Sequence, residues 1–114
     1  MLLPHAENAE VAEQKIRAYL LNPRHPDGAS KARFFATLGF SADSWEDFAT
    51  ALRQIAMRFP VIRSMESIHG TKYIVEGKIE SPDGSSPFIR TVWILDQGRE
   101  TPRLVTAYPF DEGE

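Results

Sequence analysis

An α+β fold is predicted: three N-terminal helices followed by an antiparallel meander of three to four strands. Apolar residues recur at helical spacing as far as Pro60 and alternate after it. The strand-forming stretches follow one another with no helix between them, which argues against parallel βαβ units. Their connections are short and use turn chemistry, as in Ser81-Pro-Asp-Gly84. No linker, repeat or low-complexity stretch divides the 114 residues, so one domain is expected over residues 1–114.

In chain order, Pro4 holds Leu3 extended, making residues 1–8 a lead-in. Asn8 is a suitable cap for a first helix from Ala9 to Leu21, whose apolar stripe is Val11, Ala12, Ile16, Tyr19 and Leu20. Asn22-Pro23 stops it, because a proline disfavours helical geometry at the residue before it. Ser30 can cap a short second helix that turns Phe34, Phe35 and Leu38 inward and ends at Gly39. Asp43-Ser-Trp-Glu46 has capping-box spacing and opens a third helix, with Trp45, Phe48, Ala49, Leu52, Ile55, Ala56 and Phe59 on one face. Strands are expected over Val61 to Ile68, Thr71 to Ser81, Phe88 to Leu95 and Arg103 to Tyr108. The third is apolar on both faces, which predicts a central place in the sheet. The acidic ending Asp111-Glu-Gly-Glu114 falls beyond the last strand.

Composition excludes several function classes. A net charge of −3, from 13 basic and 16 acidic side chains, argues against broad nonspecific nucleic-acid binding, although a local basic patch is compatible with it. The absence of cysteine excludes disulfides and thiolate chemistry and suits a reducing cytoplasm. No secretory leader and no apolar run near the roughly 20 residues of a membrane span is seen, so a cytoplasmic protein away from membranes is expected. Three histidines without an i, i+4 pair make no metal site, and no Gly-x-Gly-x-x-Gly, Walker or Gly-x-Ser-x-Gly motif calls for a cofactor or an elbow serine.

Chemistry concentrates between residues 22 and 33. Lys31 and Arg33 stand near the start of the second helix, where the dipole prefers acids. With His25 and the nearby Arg24 they form a candidate anion site around the helix's free N–H groups, and His25 can exchange protons near neutral pH. The competing reading is a stiff Pro-His-Pro turn with both bases snorkelling over apolar neighbours and neutralised by Asp27. His69 and His5 read as solvated. Arg90, Thr91, Trp93, Thr106 and Tyr108 form a second set on the strands, able to hold a phosphate and a stacked base. Strand propensity alone also explains these residues, and Trp93 fits the core.

Leu3-Pro-His-Ala-Glu-Asn-Ala9, Tyr19-Leu-Leu-Asn-Pro-Arg-His-Pro-Asp-Gly28, Lys31-Ala-Arg33, Leu38-Gly-Phe40, Thr91-Val-Trp-Ile94 and Pro102-Arg-Leu-Val-Thr-Ala-Tyr-Pro109 span nearly the whole chain. Together they resemble a bacterial family of unknown function found as small stand-alone proteins and as terminal domains of polymorphic toxins. The Asn-Pro-x-His-Pro-x-Gly-x-x-Lys segment is the most specific part. The order of elements is similar to the barnase–EndoU–colicin–RelE group of ribonuclease toxins. That resemblance implies metal-independent RNA cleavage, with His25 transferring protons, Lys31 and Arg33 stabilising the phosphorane, and Thr106 or Tyr108 orienting the phosphate. It also implies RNA as substrate and a small antitoxin or immunity protein as partner. The acidic balance and the lack of a delivery segment favour a stand-alone intracellular toxin or an inactive relative. The alternative from the residues alone is a noncatalytic module that binds an acidic protein partner through the same basic loop, and a purely structural subunit is the third.

Overall fold

A computed structural model describes residues 1–110, and the acidic ending Asp111-Glu-Gly-Glu114 lies outside the described residues. The helices precede a four-stranded antiparallel sheet: α1 (Glu13–Lys15), α2 (Ala29–Thr37), α3 (Trp45–Arg58), β1 (Val61–Ser67), β2 (Gly70–Lys78), β3 (Phe88–Asp96) and β4 (Arg103–Pro109). The strands lie in sequence order, so the sheet is the predicted meander and β3 is an inner strand. Among the described residues no helix is long and apolar enough to cross a membrane.

The first helix is much shorter than its apolar stripe suggests. Asn8 belongs to a 3-10 turn, Ala6–Asn8, and does not cap a helix. Glu10 instead lies beside β4, its N–H donating to the Pro102 carbonyl at 2.8 Å and its carbonyl accepting from Leu104 N–H at 2.9 Å. These long-range backbone bonds hold residues 9–11 extended and override a weak local helix preference. Ala12 ends the extended segment, α1 makes one turn, and a π-helical turn follows over Ile16–Leu20, closed by Leu21 N–H on the Ile16 carbonyl at 2.8 Å. The stripe still does its work, because Val11, Ile16 and Leu20 are buried.

Gly28, not Ser30, occupies the N-cap of α2. At the other end Gly39 takes φ 101°, its N–H on the Ala36 carbonyl and Phe40 N–H on the Phe35 carbonyl. That pair of bonds is the glycine-dependent stop expected there. Ser41 caps the short turn Ala42–Ser44 ahead of α3, the place predicted for Asp43. Glu46 and Asp47 sit in the first turn of α3, where the dipole favours acids. Phe48, Ala49, Leu52, Ile55 and Ala56 of α3 pack into one cluster with Val75, Ile89, Trp93 and Ala107 of the sheet.

Register decides what each sheet face carries, since directly opposed residues share a face. Val75, Thr91 and Ala107 oppose one another and are fully buried on the α3 side. Thr91 Oγ1 donates to the Val75 carbonyl and accepts from the Trp93 indole N–H, both at 2.8 Å. The other face carries the rows Ile74–Val92–Thr106 and Glu76–Arg90–Tyr108. Between Leu104 and Thr106 the pairing slips by one residue, making Val105 a β-bulge.

Candidate active site

The side chain of Tyr19 is the centre of the polar cluster. The π turn that carries it runs into the Asn22-Pro-Arg-His-Pro-Asp-Gly28 loop, which folds back on it. Asn22 stiffens the loop by accepting Arg24 N–H at 3.0 Å and donating to the Ala18 carbonyl at 3.2 Å. A β-carbon on Gly28 would lie 2.9 Å from the Tyr19 ring and from the Tyr19 carbonyl oxygen. Only glycine lets the loop close this tightly, which accounts for the glycine of the motif.

Lys31 is the third residue of α2, and its ammonium donates to the Tyr19 hydroxyl and, at 3.3 Å, to Thr106 Oγ1. Tyr19 Oη and Thr106 Oγ1 are 3.0 Å apart, completing a triangle of three polar groups. The Lys31 ammonium also lies 4.9 Å from the centre of the Tyr19 ring and 5.7 Å from that of Tyr108. A cation this early in a helix costs about 0.3–1 kcal/mol against the dipole. These hydrogen bonds and ring contacts offset that cost. The Lys15 ammonium also approaches the phenol ring, 5.4 Å from its centre.

Burial pushes the Tyr19 pKa up. Hydrogen bonds from Lys31 and Thr106 and the charges of Lys31 and Lys15 outweigh it, so the phenol ionises below the ordinary tyrosine value. A titration followed by phenolate absorbance should therefore show one of the three tyrosines ionising early, and Lys31→Met should return it to the ordinary range. An unchanged titration curve in that variant would show that Lys31 does not tune the phenol.

His25 packs edge-on against Tyr19, with ring centres 4.8 Å apart. Its Nδ1 accepts Asp27 N–H at 3.0 Å, so hydrogen-bond geometry assigns the proton of the neutral ring to Nε2. That leaves Nε2–H as the donor of the neutral ring. Its carbonyl accepts the N–H groups of Gly28 and Ala29, which removes two of the helix-start donors expected to be free.

Of the predicted site residues, Lys31, Thr106 and Tyr108 come together and His25 lies against the same phenol. Arg33 does not join them. It is exposed on α2, two residues on from Lys31, and residues at i and i+2 face different sides of a helix. Arg24 is likewise exposed. Arg90 is the arginine nearer the cluster, its guanidinium 5.8 Å from the Tyr108 ring centre and 4.7 Å from that of Phe110. Contact with the Tyr108 hydroxyl and then the hydrogen bond to Glu76 raise its pKa above the ordinary arginine value. Among the described residues no group of three or more His, Asp or Glu side chains gathers as metal ligands would.

Tyr19 is the principal residue that sequence reasoning missed, because it falls within the apolar stripe of the first helix. Its hydroxyl was the signal: a tyrosine on a buried stripe needs a partner for its polar end. Lys15 has no comparable signal, since it reads as an ordinary solvated helix lysine.

Residues 2–111 match the family described as "Domain of unknown function (DUF6883)", and the chain belongs to that family. No curated protein matches it significantly. In fold it is similar to a chain of a contact-dependent growth inhibition toxin–immunity protein complex from Klebsiella pneumoniae 342. That likeness has a TM-score of 0.73 at 16% sequence identity and covers 93% of this chain and 97% of that one.

Proposed function

We propose that this DUF6883 chain is a toxin-like RNA phosphodiesterase that works with side chains alone, without a metal. The observation that carries the reading is the Lys31–Tyr19–Thr106 triangle, with His25 and Tyr108 against it. Cleavage of RNA by its own 2′-hydroxyl needs a group that exchanges protons and a cation beside the phosphorus. It also needs donors that hold the nonbridging oxygens. Tyr19, with its lowered pKa, is the proton-exchanging group. Lys31 supplies the charge that stabilises the phosphorane. Thr106 and Tyr108 orient the phosphate, and His25 donates from Nε2. Attack of the 2′-oxygen, its proton passing to the Tyr19 phenolate, breaks the bond from phosphorus to the 5′-oxygen, which takes that proton back from the phenol, leaving a cyclic phosphate and a 5′-hydroxyl end.

The likeness in fold to a chain of a toxin–immunity complex supports a place in a toxin system. A small antitoxin or immunity protein is the partner that this reading implies. The test is direct: purified protein is incubated with total RNA without added metal and with chelator, beside Tyr19→Phe and His25→Ala. Cleavage leaving cyclic phosphate ends is expected, with Tyr19→Phe the weaker of the two variants. Intact RNA, or cleavage indifferent to both changes, rejects the mechanism. In that event salt-sensitive binding of an acidic protein, lost in Lys31→Glu, would identify the noncatalytic interaction module instead.

A further inference from the structure

An open hollow lies beside the Tyr19 cleft rather than in it. It spans about 640 Å³ between the extended N-terminal segment, Arg53 of α3, and Arg103 and Leu104 of β4. Lys15 lines both this cavity and the cleft of about 400 Å³ that holds Tyr19, His25 and Thr106. A third hollow of about 330 Å³ shares Ala12 and Lys15 with the first and Tyr19 and His25 with the second. The first two therefore lie in succession along β4, and the third, lined by residues 12–25, shares wall with both. The first hollow touches residues 103 and 104 and the second 105 and 106. Two residues of strand advance about 7 Å, the scale of a single step along an extended nucleic-acid strand.

The lining suits a nucleotide. Ala9, Val11, Ala12 and Leu104 give it apolar wall, and Lys15, Arg53 and Arg103 set cations around it. Arg53 is anchored by donating from Nε to the Ala9 carbonyl at 2.8 Å, which leaves the fork of its guanidinium for a ligand. Arg103 spends Nε and Nη2 on Asp96, and Glu10 is drawn towards Arg99 at 3.6 Å. Glu7 and Glu10 also border the cavity, so the local balance is three cations to two acids. That balance favours one phosphate over a dense array of them.

We infer that this cavity is a subsite for the nucleotide one step beyond the two that flank the cleaved linkage, its base on the apolar wall and its phosphate between Lys15 and Arg53. The inference rests on the RNA reading above and names a run of single-stranded RNA, longer than a dinucleotide, as the ligand. Ala12 provides the test, because it is exposed, extended and on the wall of two of the three hollows. Fluorescence anisotropy with uncleavable 2′-O-methyl RNA hexamers and dinucleotides reads binding in Ala12→Glu and Ala12→Lys. Hexamer affinity should fall on the order of tenfold with Glu and rise with Lys, about one phosphate contact's worth. Dinucleotide affinity should stay level. Equal effects on both lengths, effects of one sign, or no effect overturns the subsite. If the opposed effects appear while unmodified RNA stays intact, the subsite stands and the cleavage chemistry falls. If RNA is cleaved and the opposed effects are absent, the subsite alone falls.

Discussion

Replacing Lys31 with alanine should lower RNA cleavage by about 10²–10³-fold, the loss seen when one well-placed stabiliser of transition-state charge is removed. The loss should fall on kcat more than on KM, because the charge that Lys31 meets grows as the phosphorane forms. It removes the hydrogen-bond partner of both Tyr19 and Thr106, so the phenol also loses the contact that eases its ionisation. Folding should be little changed, since the variant also relieves a cation at a helix start. Single-turnover rates and thermal melts on the same preparations check both halves. Cleavage within threefold of the parent, in a folded variant, would remove Lys31 from the chemistry.

The largest expected effect on stability is at Trp93. It is fully buried at the centre of the cluster between α3 and the sheet, and Trp93→Ala should cost about 3–5 kcal/mol. Its neighbour Thr91 makes the more discriminating control. Thr91→Val keeps nearly the same shape yet leaves the indole N–H buried without its acceptor. That should cost about 1–3 kcal/mol although no methyl group is lost. Urea midpoints for the two variants check the order, and a neutral Thr91→Val would show that the indole finds another acceptor.

Most of the architecture was legible because local and global preferences agree. The α3 stripe, the stop at Gly39, the strand order and the buried Trp93 follow from spacing and turn chemistry. The N-terminal helix was misjudged because its boundary is set by Glu10 pairing with β4, more than ninety positions away. No local window contains that partner. The candidate site divides in the same way. Lys31 was found because it breaks a local rule. Thr106 and Tyr108 were named as strand residues able to hold a phosphate. Arg33 was included on the same ground as Lys31, a base in the first turn, and helical geometry turns that nearness in sequence into separation. Tyr19 escaped because its stripe position and its hydroxyl point to different roles, and periodicity registers only the first.

The π turn at residues 16–20 has a consequence for how this site can be lost or retuned. Such a turn is an ordinary helical turn carrying one surplus residue. Dropping Ala18 would rewind it, keep Ile16 and Leu20 near their inward bearing, and turn the phenol by a few tens of degrees about the helix, out of line with Lys31. A single codon lost there would undo the Lys31–Tyr19–Thr106 triangle while sparing the architecture around it.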